Sequence, residues 1–513
     1  METYMTITKS ELLPDFNRRH RWAITGAISF AVAFGLLFRA LSVSAWPSQM
    51  VVWDGLALAA YTFGLLCVVG ALQRSEVGFA RWKFGPWILI WYIFAYGIAS
   101  ISWSQPQVSI TTVSMITLPS VLQALWLVAV GLTAWFIGYL VGPGSPMKGV
   151  TSNGIRRVSS YYTSDVRSLY APWILYAIGT AARFGFAATT GRYDYIGDTA
   201  SSVSATTSYG QILNALGVCA QFAVVAAALQ VFRERKPAAR MTLLVLVISE
   251  LAISLISGYK YNFLNVALEI AIPYSVASKR LPKATLVSAC LIFVIIITPF
   301  TASYRNVVKS GHTVLTSSQA VQKAPAVLRQ TLNMSAVITA VPSSIDYLVN
   351  RVQEIDAVAV IRQLTPGQVP YVSPAQLVEI PLIGFVPRAI WHNKPLQLQM
   401  YQVSQEYYDQ PATVYTAAGI TPIGDLYRHG GWIPVIAGML FLGCMIRLLD
   451  DVLDIRRNPQ VIYLLVVLYP TVVVAESGWI AIFSGIPLTV MVWLFALAIT
   501  FRRRPTSAPT LSP

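Results

Sequence analysis

An all-α, polytopic membrane protein with about twelve transmembrane helices and one large extracytoplasmic loop is the fold class that this sequence predicts. Three observations predict it. The 513 residues are 55% hydrophobic and only 12% charged, and their mean hydropathy is +0.58. Apolar runs of about 18 residues or more, enough for a hydrocarbon core of roughly 30 Å, recur along the chain. Lys and Arg gather in alternate loops, the asymmetry that orients multi-pass proteins.

The runs fall near 23–44, 51–72, 85–103, 120–141, 171–189, 210–232, 241–257, 262–278, 284–301, 432–449, 460–476 and 479–501. Pro273 and Glu269 make the run at 262–278 the least regular of them. Residues 1–301 therefore read as nine spans, 302–431 as the large loop, 432–504 as three further spans, and 505–513 as a disordered cytoplasmic tail.

The formal charge of +15 follows the same alternation. Arg18, Arg19 and Arg21, then Arg74, Arg81 and Lys83, then Lys148, Arg156, Arg157 and Arg167 mark successive loops on one side. Arg233, Arg235, Lys236 and Arg240, then Lys279, Arg280 and Lys283, then Arg456 and Arg457, and finally Arg502, Arg503 and Arg504 continue the series. The expectation is a bacterial inner membrane protein with both termini cytoplasmic and loop 302–431 outside. Charge spent on topology leaves no case for nucleic acid. Cys67, Cys219, Cys290 and Cys444 all fall in apolar runs and read as packing residues; no Cys/His ligand spacing calls for a metal. A phosphate-binding G-x-x-x-x-G-K-[ST] loop is missing too, so no nucleotide cofactor is expected.

The large loop has structure of its own. Ser343-Ser344-Ile345-Asp346 reads as a helix start. Ile345, Leu348, Val349, Val352, Ile355 and Ala359 continue with a period near 3.6, and Thr365-Pro366-Gly367 stops the helix. Such a stripe also suits a helix lying on the membrane surface, with Arg351 and Arg362 along one edge. Tyr401, Tyr407, Tyr408 and Tyr415 then punctuate a stretch rich in amides and carboxylates. Flat rings beside such groups suit a sugar, although tyrosines also anchor proteins at headgroup level.

Charges deep in the runs need partners. Glu250 and Glu269 are candidates to pair with a helix-borne cation. On the outer side Arg183, Arg192, Lys260, Arg305, Lys309, Arg388, Lys394 and Arg428 run against the positive-inside bias, and a polyanion at the membrane surface would explain them.

Within the loop lies Pro387-Arg388-Ala389-Ile390-Trp391-His392-Asn393-Lys394-Pro395, and later Thr421-Pro422-Ile423-Gly424-Asp425-Leu426-Tyr427 leads into the next run. The first segment resembles the Pro-Arg-x-x-Trp-Pro-x-Lys-Pro motif found late in the periplasmic loop of Wzy-type O-antigen polymerases, which join oligosaccharide repeat units. His392 stands where that family has proline. The resemblance implies a growing glycan on polyprenyl pyrophosphate as donor, a single lipid-linked repeat unit as acceptor, and a chain-length regulator as a further partner. It also implies that Arg388, Arg305, Lys260, Arg428, Lys394 and Arg183 are the candidates for pyrophosphate contact. Asp425, Glu379 and His392 are the candidate catalytic groups, with Glu406 and His429 also in reach as bases, and Asp425 leads. Tyr401, Tyr407, Tyr408 and Trp391 are the candidate sugar contacts. O-antigen ligases share donor and layout, so polymerase and ligase are not separated at this level, and a lipid-linked oligosaccharide flippase is the alternative of another class.

Overall fold

The computed structural model describes residues 47–73, 82–104, 116–191, 208–278, 280–308, 317–332, 352–386, 399–411, 418–455, 458–474 and 478–504, with a few single positions between them. Eight helices among these are long and apolar enough to cross a membrane: Gln49–Gly70, Phe84–Trp103, Leu118–Val141, Tyr209–Phe232, Ala238–Ser257, Lys283–Arg305, Trp432–Val452 and Ile482–Thr500. The expected runs at 171–189 and 262–278 are also helical but more polar, and 460–476 gives only a shorter apolar helix, Pro459–Val473. The run at 23–44 lies outside the described residues. Among the described residues, length and composition thus support eight of the expected spans.

In chain order the bundle begins with α1 (Pro47–Gln73) and α2 (Phe84–Tyr92), which widens into a π-helical turn at Ile93–Gly97 and tightens at Ile98–Ser104. Next come α3 (Leu118–Val141), α4 (Ser145–Ser160), β1 (Tyr162–Val166), α5 (Ala171–Thr190), α6 (Ser208–Leu216) and α7 (Cys219–Phe232). They are followed by α8 (Ala238–Ser257), α9 (Lys260–Ser278), α10 (Lys283–Ile292) and α11 (Thr298–Val308). The last of these carries helix seven residues past the expected loop boundary at 302.

Residues 302–431, expected to form a large loop, contribute α12 (Ser317–Thr331), α13 (Ile355–Leu364), α14 (Gln376–Phe385), α15 (Gln399–Tyr408) and α16 (Pro422–Arg428). The chain closes with α17 (Trp432–Val452), α18 (Ile462–Val473), α19 (Trp479–Ser484), α20 (Ile486–Thr500) and β2 (Phe501–Arg503).

Small residues let helix backbones approach closely. Helices α3 and α17 do this: a Cβ at Gly443 would fall on the Trp135 carbonyl, and one at Gly138 on the Leu440 carbonyl. Cys444 Sγ donates to the Gly138 carbonyl at 3.2 Å across the same contact. All four cysteines are free thiols.

At one end of the bundle β1 and β2 pair antiparallel. Arg167 N donates to the Thr500 carbonyl at 2.7 Å and Arg504 N to the Tyr161 carbonyl at 2.8 Å. Lys148, Arg156, Arg157, Arg167, Arg240 and Arg502–Arg504 are exposed. These residues make this end of the bundle rich in cations. Here too Asp450 accepts from Phe84 N at 2.6 Å, Gly85 N at 3.1 Å and Tyr139 Oη at 2.7 Å, capping the first turn of α2 from the far end of α17. Asp450→Ala orphans three buried donors, each worth about 1–3 kcal/mol. The expected result is a clear fall in the unfolding temperature of the purified protein, with a smaller fall for Asp450→Asn, which keeps one acceptor oxygen.

The opposite end is covered by the loop helices, and they belong to the bundle rather than to a separate body. Ile355, Val358, Ala359 and Ile361 of α13 and Ile423 and Leu426 of α16 sit in the same apolar core as α3 and α17. Helix α13 is packed inside rather than laid on a surface. It starts at Ile355 after Glu354, not near Ser343, and it ends at Thr365 as expected. Residues 333–351, which hold the expected start, lie outside the described residues. A second small core of Phe300, Tyr304, Val308, Ala320, Ala324 and Val327 joins α11 to α12.

Candidate functional site

The short helix α16 organises the covered end. Thr421 Oγ1 accepts from Gly424 N at 3.1 Å and Pro422 occupies the first turn, a pairing that fixes where the helix starts. Gly430 and Gly431, with φ of +138° and +77°, turn the chain directly into α17. Seven helical residues between two such stops leave Asp425, Arg428 and His429 no freedom, and they are 2%, 1% and 0% exposed.

Their hydrogen bonds are incomplete. His429 Nδ1 lies 2.6 Å from the Asp425 carbonyl oxygen and 3.7 Å from Asp425 Oδ1, so two acceptors face this nitrogen and it carries the proton. The lone pair then sits on Nε2, which has no hydrogen-bond partner, nor do Arg428 Nε and Nη1 or Asp425 Oδ1. Asp425 Oδ2 receives a long 3.4 Å bond from Ile480 N at the start of α19. Burial pushes the Asp425 carboxyl above its usual range, opposed by His429 and Arg428, and burial holds the His429 imidazole below its own. A salt bridge between Asp425 and Arg428, the simplest local role for the acid, is not what forms; its basic neighbour within 4 Å is His429.

A second acidic pair adjoins this trio. Glu354 N donates to the Ala95 carbonyl at 3.1 Å, in the π-helical turn of α2. Asp356 Oδ1 accepts from Trp103 Nε1 at 3.0 Å and from Gln353 Nε2 at 2.8 Å, and Ser102 bonds Gln353 in turn. Burial raises the Asp356 carboxyl to about 6 against these two donors. With Oδ1 taken by both donors, Oδ2 is the oxygen that carries the proton. A raised acid stabilises the fold below its unfolded value, about 3.9, and that stability drains away as pH rises toward about 6. Stability of the wild type relative to Asp356→Asn is therefore expected to fall between about pH 4 and 6 and to level off above, by about 1–3 kcal/mol in all. Denaturant unfolding at stepped pH reads this directly; parallel curves for the two proteins would refute it.

Around these acids stand the loop tyrosines. Tyr407 is buried with its hydroxyl 2.7 Å from Thr365 Oγ1, and its electrostatic neighbours are Arg428 and Asp425. Tyr408 faces Glu354 and Asp356. Tyr401 is half-buried on the same helix, and Trp391 is 40% exposed. Glu379 lies in the first turn of α14, exposed. Arg388, His392 and Lys394, with most of the segment that resembles the polymerase motif, lie outside the described residues.

The remaining cations are held elsewhere. Arg305 Nε donates to the Gly258 carbonyl at 3.0 Å and its guanidinium stacks over Tyr259 at 5.6 Å, beside Lys260 at the turn between α8 and α9. Arg183 Nη1 is bound by both Glu250 oxygens, at 2.8 and 2.9 Å. Of the six candidate cations for pyrophosphate contact, the structure thus puts Arg428 on α16, Lys260 and Arg305 at the α8–α9 turn, and Arg183 inside the helices. Glu250, expected to serve a helix-borne cation, does so. Sequence reading missed Glu354 and Asp356, because it placed them in the middle of a longer helix; the acidic pair in Gln353-Glu354-Ile355-Asp356 was the available sign of a helix start.

This is a helical bundle of multi-pass character whose one end is sealed by a polar, buried constellation of acid, imidazole and guanidinium. The chain belongs to the DUF8712 family, described as a domain of unknown function, whose profile matches residues 195–452. That stretch carries α6 through α17, and so holds Asp356, Asp425, Arg428, His429, Glu250 and Glu269, while Arg183 lies before it. No curated protein and no solved structure matches the chain.

Proposed function

We propose that this protein is a glycosyltransferase of the bacterial inner membrane that polymerises polyprenyl-pyrophosphate-linked oligosaccharide repeat units on the outer face. The observation that carries the reading is Arg428, a fully buried guanidinium whose Nε and Nη1 have no partner, next to the bare Nε2 of His429. A planar, singly charged fork of N–H donors in a dry site suits a pyrophosphate. The exposed cations at the β1–β2 end support a cytoplasmic assignment for that end, which puts Arg428 on the outer side.

In this reading the acceptor hydroxyl oxygen bonds to the donor's anomeric carbon as the bond from that carbon to the pyrophosphate oxygen breaks. The departing electron pair stays on polyprenyl pyrophosphate, where Arg428 meets the growing negative charge. The hydroxyl proton passes to His429 Nε2, and Asp425 holds the ring through its carbonyl. Asp425 thereby moves from lead candidate for the base to a positioning residue. Tyr407 and Tyr408 border the site where sugar rings would lie.

The test is glycan length in a strain lacking the gene, rescued with wild type or Arg428→Ala expressed at equal level. Single repeat units in the deletion and a ladder restored by wild type alone support the polymerase. Long chains stranded on polyprenyl pyrophosphate convert the reading to a ligase using the same donor. An unchanged ladder in both strains removes glycosyl transfer altogether. A second reading, movement of lipid-linked oligosaccharide across the membrane, draws on the polar cavity among the helices described next, and flipping of labelled lipid in vesicles by the Arg428→Ala protein would favour it.

A further inference from the structure

Between α5, α7, α8, α9 and α18 lies a cavity of about 300 Å³. Tyr261 and Asn262, in the first turn of α9, line its outer part, and Glu269 lies seven residues further along the same helix, about 10 Å deeper. Among the described residues, three charged side chains reach it: Arg183, Glu250 and Glu269. Arg183 is engaged by both oxygens of Glu250. Glu269 is 0% exposed, and neither of its oxygens has a hydrogen-bond partner. One turn away Asn265 is 4% exposed, and both ends of its amide are likewise bare.

We propose that this cavity is a binding site for one exchangeable positive charge, a proton or an alkali cation, held by Glu269 and Asn265. The inference is independent of the glycosyl-transfer reading. It rests on charge balance. One guanidinium and two carboxylates leave the cavity one negative charge, in a setting where an uncompensated ion is heavily penalised. An anion would deepen the imbalance and a divalent metal would reverse it, so the fitting occupant carries a single charge.

The ligand chemistry agrees. Glu269 Oε1 and Oε2 and Asn265 Oδ1 are hard oxygens without donors, and Asn214, Gln221 and Thr471 add neutral oxygens around the same space. Among the described residues, the other charged or titratable groups facing the cavity are Arg183 and Tyr193 from α5 and the residues after it, Glu250 from α8 and Tyr261 from α9 itself, with Cys219 of α7 close enough to Arg183 to interact with it. Helices α18 and α20 bring only Val467, Thr471 and Thr489. Among the described residues, Arg183 is therefore the one cation that competes for Glu269, and Glu250 occupies that cation.

The experiment uses the full chain in lipid nanodiscs, with sodium-22 binding and infrared spectra measured for wild type, Glu269→Gln and Asn265→Ala. Saturable binding near one sodium per chain, weakened at least tenfold by Glu269→Gln and measurably by Asn265→Ala, assigns an alkali cation. Absence of sodium and potassium binding, with a protonated-carboxyl band at neutral pH that Glu269→Gln deletes and Asn265→Ala shifts in its pH midpoint, assigns a proton. An ionised Glu269 that binds neither cation overturns the proposal, as does sodium binding untouched by both substitutions. Should Glu269→Gln fail to fold, Asn265→Ala and the wild-type spectra still decide.

Discussion

Arg428→Ala is expected to lower turnover about 10²–10³-fold, the loss seen when one preorganised donor to a developing oxyanion is removed. Lysine at this position keeps the charge but not the fork of donors, so Arg428→Lys recovers only part of the rate. The diagnostic measurement is stability rather than rate. A guanidinium buried to 1% with unpartnered nitrogens destabilises the empty fold, so Arg428→Met is expected to be about 1–4 kcal/mol more stable while inactive. Inorganic pyrophosphate should raise the unfolding temperature of the wild type and leave Arg428→Met unmoved. A less stable Arg428→Met protein would mean that the guanidinium is structural, and the site would lose its central member.

Glu250→Gln is expected to have the second large effect, on two quantities at once. Breaking a buried ion pair from one side costs about 3–5 kcal/mol because the other charge is left behind. Here Glu269 stands near enough to Arg183 to interact with it. The loss therefore falls toward the lower end of that range, with Glu269 drawn into the vacated role. The cavity then holds one positive and one negative group and needs no further charge, so sodium or proton binding should vanish although Glu250 is not itself the ligand. Removing both partners, as in Arg183→Leu with Glu250→Leu, should restore much of the stability. Unfolding temperature and sodium-22 binding on the same preparations separate these outcomes; full retention of cation binding in Glu250→Gln would break the charge argument.

The helices were legible because membrane spans write themselves into composition: the apolar run at 120–141 became Leu118–Val141, and 210–232 became Tyr209–Phe232. What periodicity could not reveal was pairing across distance. Nothing local joins Arg183 to Glu250, 67 positions on, or Asp450 to the N–H groups of Phe84 and Gly85. The stop at Thr365 was readable from Thr-Pro-Gly, yet the start of α13 was not, since an apolar stripe looks the same on either side of a break at Glu354. At the site, Asp425 stood out by its neighbours, but the tautomer of His429 depends on a backbone carbonyl one turn away, which only the folded helix supplies. The β1–β2 ribbon escaped notice because five-residue and three-residue strands lie beneath any pattern threshold.

That ribbon has a consequence for how the protein is made. Its second strand, Phe501–Arg503, leaves the ribosome long after its partner, Tyr162–Val166. Asp450 likewise arrives 366 residues after the helix start that it caps. Until α17 arrives, the first turn of α2 has open amides at Phe84 and Gly85. Biogenesis of this protein is thus a race between insertion and quality control, and a chain stalled before residue 450 should be a better substrate for membrane proteases than one stalled after 503.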